Sequence, residues 1–167
     1  TFDVGSNPIA ITFGNNLFAI ANFSGTVTLI EGTTRKITST VTVGTNPRAI
    51  TFGNNRFVTA NTGSNDVSIF TAVPVPPPAT NVNAGTSPYA VVFTSNNRFA
   101  VASRGSNSVT LIDATTNTAI TPDIVVGTNP VALAYGDVAP AKFCTVNQNA
   151  AGNTLSLVTG NVAFTPF

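Results

Sequence analysis

The chain has 167 residues, of which 43% are hydrophobic and only 8% are charged, and its formal net charge is +1. The length suits one domain with a sizeable core, and because soluble domains average roughly 25% charged residues, Thr, Ser and Asn must keep this one in solution. The absence of a Lys/Arg cluster argues against a nucleic-acid partner, and no apolar run approaches the roughly 20 residues of a membrane-spanning helix. This composition favours an extracellular or cell-surface protein.

One stretch of sequence recurs four times and organises the chain. It occupies residues 4–22, 43–62, 84–103 and 126–147, and its prolines, at positions 8, 47, 88 and 130, are 39, 41 and 42 residues apart. A period of about 40 residues that holds four short strands is typical of a β-propeller blade. We therefore divide a single domain, 1–167, into repeats 5–43, 44–84, 85–126 and 127–167, with 1–4 as an outer-strand piece that helps to close the ring.

Turn residues cut each repeat into short runs rich in Val, Ile, Thr and Phe, which are residues typical of strands. In the second repeat the predicted strands are 47–52, 56–61, 66–71 and 78–84, and Gly53-Asn54-Asn55 makes a tight hairpin, as do its counterparts in the first and third repeats. Helical periodicity is not sustained anywhere. The predicted fold is an all-β propeller of four-stranded antiparallel blades, either a four-bladed ring or half of a larger ring.

Two segments outside this pattern carry their own predictions. The run 72–78, AVPVPPP, is expected to be a stiff loop of polyproline II geometry at the edge of the propeller. Cys144 is the single cysteine, in the alternating run AKFCTV opposite Phe143, and is predicted to be a packed, inert thiol.

Three stretches, SNDVSIF, SNSVTLIDATTNTAI and VGTNPVALA, resemble the YVTN β-propeller repeat family of bacteria and archaea. The resemblance covers essentially the whole chain and is most specific in the third repeat, 85–126. At the positions of the YVTN motif this chain has FAIAN, FVTAN, FAVAS and FCTVN, and its fourth repeat is divergent. The resemblance implies a surface or secreted propeller, and most propellers of this family have more than four blades.

How the ring closes is open at this point. Joining the last residue to the first would give a proline spacing of 45, close to the internal spacings. Four blades could close on themselves, two chains could share one eight-bladed ring, or the chain could be part of a longer propeller. Because unpaired strand edges associate readily, we expect closure within one chain or between two rather than an isolated fragment.

The sequence contains few residues suited to catalysis. It has no His, and its six acidic residues are scattered, with Asp66 opening one strand and Asp113 closing another. A His-based triad or zinc site is excluded, and no phosphate-binding glycine motif or haem attachment pair occurs. No catalytic residue, metal ligand or cofactor is predicted, and the chain is expected not to be an enzyme. The alternative is a propeller hydrolase or lyase of the lactonase kind, which would need an acidic metal cluster in the channel.

Binding is better supported by the residues that follow the four prolines. Ile9, Arg48, Tyr89 and Val131 vary where their neighbours repeat, and Arg104 lies in a nearby loop. Arg and Tyr are favoured interface residues, so Arg48, Tyr89 and Arg104 are the first candidates to contact a partner. Asn22 opens an Asn-Phe-Ser triplet that is expected to lie in an exposed loop, where it would accept a glycan if the protein is exported from an organism that glycosylates.

From these features we predict a non-catalytic extracellular or cell-surface propeller that mediates protein–protein assembly or adhesion. The expected partner is a protein or glycan surface, and a homo-oligomer is one of the expected forms. Nucleic acid and a membrane span are not expected.

Overall fold

The structure is a computed structural model and describes residues 3–136, 142–148 and 152–159. Within these ranges the chain forms antiparallel sheets, here called blades 1 to 4, so the all-β prediction is confirmed. Blade 1 contains β1 (Pro8–Gly14), β2 (Leu17–Asn22), β3 (Thr26–Glu31) and β4 (Ile37–Thr42), and blade 2 contains β5 (Pro47–Gly53), β6 (Arg56–Asn61), β7 (Asp66–Thr71) and β8 (Thr80–Asn83). Blade 3 contains β9 (Pro88–Thr94), β10 (Arg98–Ser103), β11 (Ser108–Asp113) and β12 (Thr118–Val125), and blade 4 contains β13 (Pro130–Gly136), β14 (Lys142–Asn147) and β15 (Thr154–Thr159).

In every blade the strands pair in chain order. By analogy with the other repeats, residues 162–167 would supply the fourth strand of blade 4, and they lie outside the described residues. The predicted piece 1–4 is described only at Asp3 and Val4, which do not lie in a strand. The predicted strand 78–84 was too long at both ends: β8 begins at Thr80, after the prolines, which have no N–H to donate to a ladder.

The hairpins between the first and second strands have the predicted geometry in the first two blades. Asn15 and Asn16 have φ values of 50° and 59°, and Asn54 and Asn55 have values of 46° and 57°. Two consecutive residues with positive φ are typical of the type I′ turn, whose twist suits a two-residue hairpin. The repeated Asn-Asn pair therefore sets the register of these inner strands.

The blades stack face to face, with the inner strands β1, β5, β9 and β13 side by side in that order. Each blade has a leading face, toward the preceding blade, and a trailing face, toward the following one. In blade 2 the leading face carries Ile50, Phe57 and Phe70, which pack on blade 1. The trailing face of blade 2 carries smaller residues such as Val58 and Ala60, which pack against blade 3. Apolar burial is thus divided into layers between blades, which supply the main stabilising term.

A buried asparagine at the end of the second strand ties together the loops of its blade. In blade 2 the Asn61 side chain is fully buried, and its amide donates to Asp66 Oδ1 at 2.8 Å and to Ser68 Oγ at 2.9 Å. Ser68 Oγ in turn accepts a bond from the backbone N–H of Gly44 at 2.9 Å. A Cβ at Gly44 would lie 2.6 Å from Asn61 Nδ2, so a side chain there would displace this network. This network links three segments of the blade.

Candidate functional site

The site begins with a backbone contact that recurs in all four blades. The loop before each inner strand meets the loop between the second and third strands, and we call the edge of the molecule formed by these loops the upper rim. In each case the first residue of the second loop donates its N–H to the residue before the proline. The four bonds are Phe23 to Asn7 (2.9 Å), Thr62 to Asn46 (3.0 Å), Arg104 to Ser87 (2.9 Å) and Gln148 to Asn129 (2.9 Å). The residue after the proline therefore always has this second loop beside it.

Four side chains of the upper rim form a row of alternating rings and cations, here called the rim row. Arg48 Cζ lies 5.1 Å from the centre of the Phe23 ring and 5.4 Å from that of Tyr89. Arg104 Cζ lies 5.8 Å from the centre of the same tyrosine ring. All three distances are within the roughly 6 Å of a cation–π contact. Because Phe23 belongs to blade 1, Arg48 to blade 2, and Tyr89 and Arg104 to blade 3, the row crosses two blade interfaces.

The positive charges of the rim row are not neutralised by the described residues. Neither Arg48 nor Arg104 forms an ion pair there, and Arg48 Nε is buried without a hydrogen-bond partner in that part of the chain. The carboxylate of Asp66, at the start of β7, accepts bonds from Asn61 Nδ2 and from Ser64 Oγ, both at 2.8 Å. A guanidinium has five N–H donors and no acceptor. The row is therefore suited to an oxyanion such as a carboxylate.

The sequence predicted three of the four members of the row. Arg48, Tyr89 and Arg104 come together, whereas Ile9 and Val131 occupy the equivalent positions in the first and fourth blades without joining the row. Ile9 is 44% exposed and Val131 is half-buried.

Phe23 was not among the predicted binding residues, because the sequence analysis considered it only as the middle residue of the Asn-Phe-Ser triplet. Its position, the first after the second strand, is the same as that of Arg104. This position varies between the repeats, as does the position after each proline, and that variation is the signal that identifies Phe23.

The expectation that Asn22 lies in an exposed loop is wrong. Asn22 is the last residue of β2 and is fully buried. Its Nδ2 donates to Thr26 Oγ1 and Thr28 Oγ1, both at 3.1 Å. The folded chain therefore does not present this nitrogen for modification.

Other chemistry in the described residues is sparse. No group of three or more His, Cys, Asp or Glu side chains comes together there. Cys144 is partly exposed, in contrast to the packed thiol that was predicted. Within the same residues, no helix has the length and apolar character needed to cross a bilayer.

No protein-family model matches the sequence, and no curated protein matches it. Similar solved structures do exist. The chain is similar to hydrazine synthase of Kuenenia stuttgartiensis, with 18% identity and a TM-score of 0.79 over 95% of this chain and 47% of that one. It is similar to the WD40 domain of Neurospora crassa Pan2, with 15% identity and a TM-score of 0.73 over 96% of this chain and 48% of that one.

A third similar structure is the computationally designed Ika4 protein, with 15% identity and a TM-score of 0.73 over 93% of this chain and 92% of that one. The chain therefore spans about half the length of the hydrazine synthase and Pan2 chains but nearly all of Ika4. At these identities the likeness concerns the fold alone. Together with the stacked antiparallel sheets, it defines a propeller-like all-β protein.

Proposed function

We propose that this chain is a non-catalytic propeller of the YVTN kind, secreted or held at the cell surface, which mediates assembly or adhesion through its rim row. The observation that carries the proposal is the stacking of Arg48 between Phe23 and Tyr89 with no carboxylate to neutralise it among the described residues. The low content of charged residues supports the extracellular setting.

The chemistry of the row suits binding better than catalysis. Arginine stays protonated, so it can donate hydrogen bonds but cannot act as a general base. Stacking on aromatic rings restricts the guanidinium, and a planar guanidinium can hold a carboxylate through two parallel bonds. Phe23 and Tyr89 add apolar contact area on either side. A carboxylate-bearing surface next to an apolar group is therefore the expected partner.

Binding of an Asp/Glu-rich peptide, measured by calorimetry for the wild type and for Arg48→Gln, tests the proposal. We expect Arg48→Gln to weaken binding by about tenfold or more, because a charge-assisted bond contributes about 1.5–3 kcal/mol. Arg56→Gln is the matched control, since it removes the same charge at the start of β6, away from the rim row.

Equal losses from the two variants would show attraction by net charge alone and would overturn the proposal. A uronic-acid oligosaccharide, titrated in parallel, separates a protein partner from a glycan. If neither probe binds the wild type, the rim row is not a carboxylate site.

The hydrolase or lyase alternative makes a different prediction. It needs a divalent cation held by at least three protein oxygens. Titration of the chain with Ca²⁺ and Zn²⁺ tests it directly, and stoichiometric binding at such a site would favour the enzyme.

A further inference from the structure

The leading face of blade 1 is apolar and uncovered. Ile11 and Phe13 are 63% and 53% exposed, whereas Ile50, the equivalent of Ile11 in blade 2, is 9% exposed under the trailing face of blade 1. Phe18 is 40% exposed, whereas its equivalent Phe57 is fully buried. Ile11 and Phe18, together with Ile20 and Ile30, border a depression of about 530 Å³ on the outside of blade 1.

The trailing face of blade 4 is uncovered in the same way. Leu155 and Leu157 are 64% and 51% exposed. Their equivalents in blade 2, Val67 and Ile69, are 0% and 2% exposed because blade 3 covers them. The described residues thus leave two apolar faces at opposite ends of the stack, each of a type that is buried at every internal interface.

The two uncovered faces match by the rule that joins blade 1 to blade 2 and blade 2 to blade 3, where a glycine ends the inner strand; β9 ends in Thr94 instead. At the end of β1, Gly14 leaves room for the Phe52 ring of the next blade, and at the end of β5, Gly53 leaves room for Phe93. At the end of β13, Gly136 is exposed with no following ring among the described residues. Phe13 is the residue of blade 1 that occupies the position of these rings.

Size complementarity extends across the second strands. Leading faces carry bulky residues there, and trailing faces carry small ones, as where Phe57 of blade 2 packs against a layer that includes Ala19 and Ala21 of blade 1. At the free ends, Phe18 is the bulky residue of the leading face. Cys144, in β14, is the residue of the trailing face that corresponds to Ala19.

We propose that a second copy of this chain covers these faces, so that blade 4 of each copy packs on blade 1 of the other in a ring of two chains. The interface continues the three internal ones, with Phe13 of one copy against Gly136 of the other. Because the two faces complement each other and not themselves, both junctions have to form head to tail.

The mass in solution, measured by sedimentation equilibrium over a wide range of concentration, is the first test. The chain has a mass of 17.1 kDa, and we expect the wild type to have twice that mass. Phe13→Glu and Leu157→Glu each place a charge on one face and should halve the mass. Both side chains are more than half exposed, so each variant should keep the wild-type far-UV circular dichroism. Val75→Glu, at a position 75% exposed in the proline-rich loop, is the matched control and should leave the mass unchanged.

A mixture of the two monomeric variants is the sharper test. Phe13→Glu keeps an intact trailing face and Leu157→Glu an intact leading face, so the mixture should form a one-to-one dimer through a single junction. In the wild type the Cys144 thiol should react with iodoacetamide more slowly than in Phe13→Glu, because only the assembled form covers it.

A monomeric wild type, or a mixture that stays monomeric, would overturn the proposal. A mass that keeps rising with concentration would replace the closed ring by an open polymer and overturn it as stated. If either variant loses its fold, Phe13→Ser and Leu157→Ser serve for the same mixture.

Discussion

The aromatic ring of Phe52 occupies the space that a side chain on Gly14 would need, since a Cβ at Gly14 would lie 2.2 Å from a ring carbon. Phe93 stands in the same relation to Gly53, at 2.0 Å. These contacts join the inner strands of successive blades, so the glycine at the end of one strand determines how closely the next blade approaches. The glycine is needed here for its lack of a side chain.

Gly53→Ala should therefore destabilise the chain by about 1–3 kcal/mol, the usual cost of overpacking a core. The measurement is urea denaturation followed by circular dichroism. Val75→Ala is the control: this side chain is 75% exposed, and surface substitutions usually change stability by less than about 0.5 kcal/mol. Equal destabilisation by the two variants would contradict the argument.

Asn61→Ala should lower the free energy of unfolding by about 1–3 kcal/mol, because it leaves buried hydrogen-bonding groups without their partner. Asn61 makes two side-chain bonds in the interior of blade 2. Asn153→Ala, at an exposed position, should have little effect in the same denaturation experiment. A loss confined to Asn61→Ala would identify burial, and not residue type, as the cause.

Ser103→Asn exchanges the bond that Ser103 Oγ donates to the Ala84 carbonyl for the two bonds that an asparagine amide donates in blade 2. It should therefore stabilise the chain by about 0.5–1.5 kcal/mol, the net value of one typical hydrogen bond. Blade 3 has Ser103 where blade 2 has Asn61, and the buried Thr110 Oγ1 has no partner among the described residues. Gly85 leaves the loop above Ser103 without a side chain, as Gly44 does above Asn61. A higher melting temperature would support this prediction, whereas a lower one would show that an asparagine does not fit in blade 3.

The rim row predicts an energetic coupling between Phe23 and Arg48. A double-mutant cycle with Phe23→Leu and Arg48→Gln should give a coupling of about 0.5–2 kcal/mol, as for a cation–π contact that is partly shielded from water. The same cycle between Phe23 and Arg56 should give none. Additivity in both cycles would mean that the stacking contributes nothing to stability.

Asp113 predicts a small dependence of stability on pH. The backbone N–H groups of Thr116 and Thr115 donate to its carboxylate and lower its pKa below the ordinary value of 3.8. A lowered pKa in the folded chain means that the stabilisation is present above the unfolded pKa and is lost as the pH falls through the folded one.

Asp113→Ala should accordingly be less stable than the wild type at neutral pH, and the difference should shrink in acid. The effect should be modest and should depend only weakly on salt, because the main partners of the carboxylate are uncharged N–H groups and the charge of Arg98 contributes least. Denaturation curves of both proteins at neutral and acidic pH provide the check, and a difference that grows in acid would contradict the assigned cause.

The sequence was most informative where turn residues set the limits of strands. The bounds of β6 and β7 were predicted to the residue because Gly-Asn-Asn and Gly-Ser-Asn flank them. It was least informative for packing between blades. A repeat presents the same residues at every interface, so its period does not show whether Phe13 is covered as Phe52 is.

The rim row, too, was predictable from the sequence only in part. Arg48 and Tyr89 stood out as variable residues at one repeated position, and they do lie together. Phe23 contacts Arg48 from the preceding blade, and such a contact depends on how far the blades turn relative to one another. The prediction for Asn22 was wrong because its triplet has the pattern of a modification site, whereas in the fold the asparagine side chain donates hydrogen bonds inside its own blade.

Because Asn22 is buried in the folded chain, modification of its triplet depends on how far folding has progressed. In a host that attaches glycans to such triplets, the nitrogen is accessible only before β2 and β3 have paired. The fraction of chains modified at Asn22 would then measure how long blade 1 stays unfolded after synthesis, and a modified chain would retain a covalent mark of slow folding.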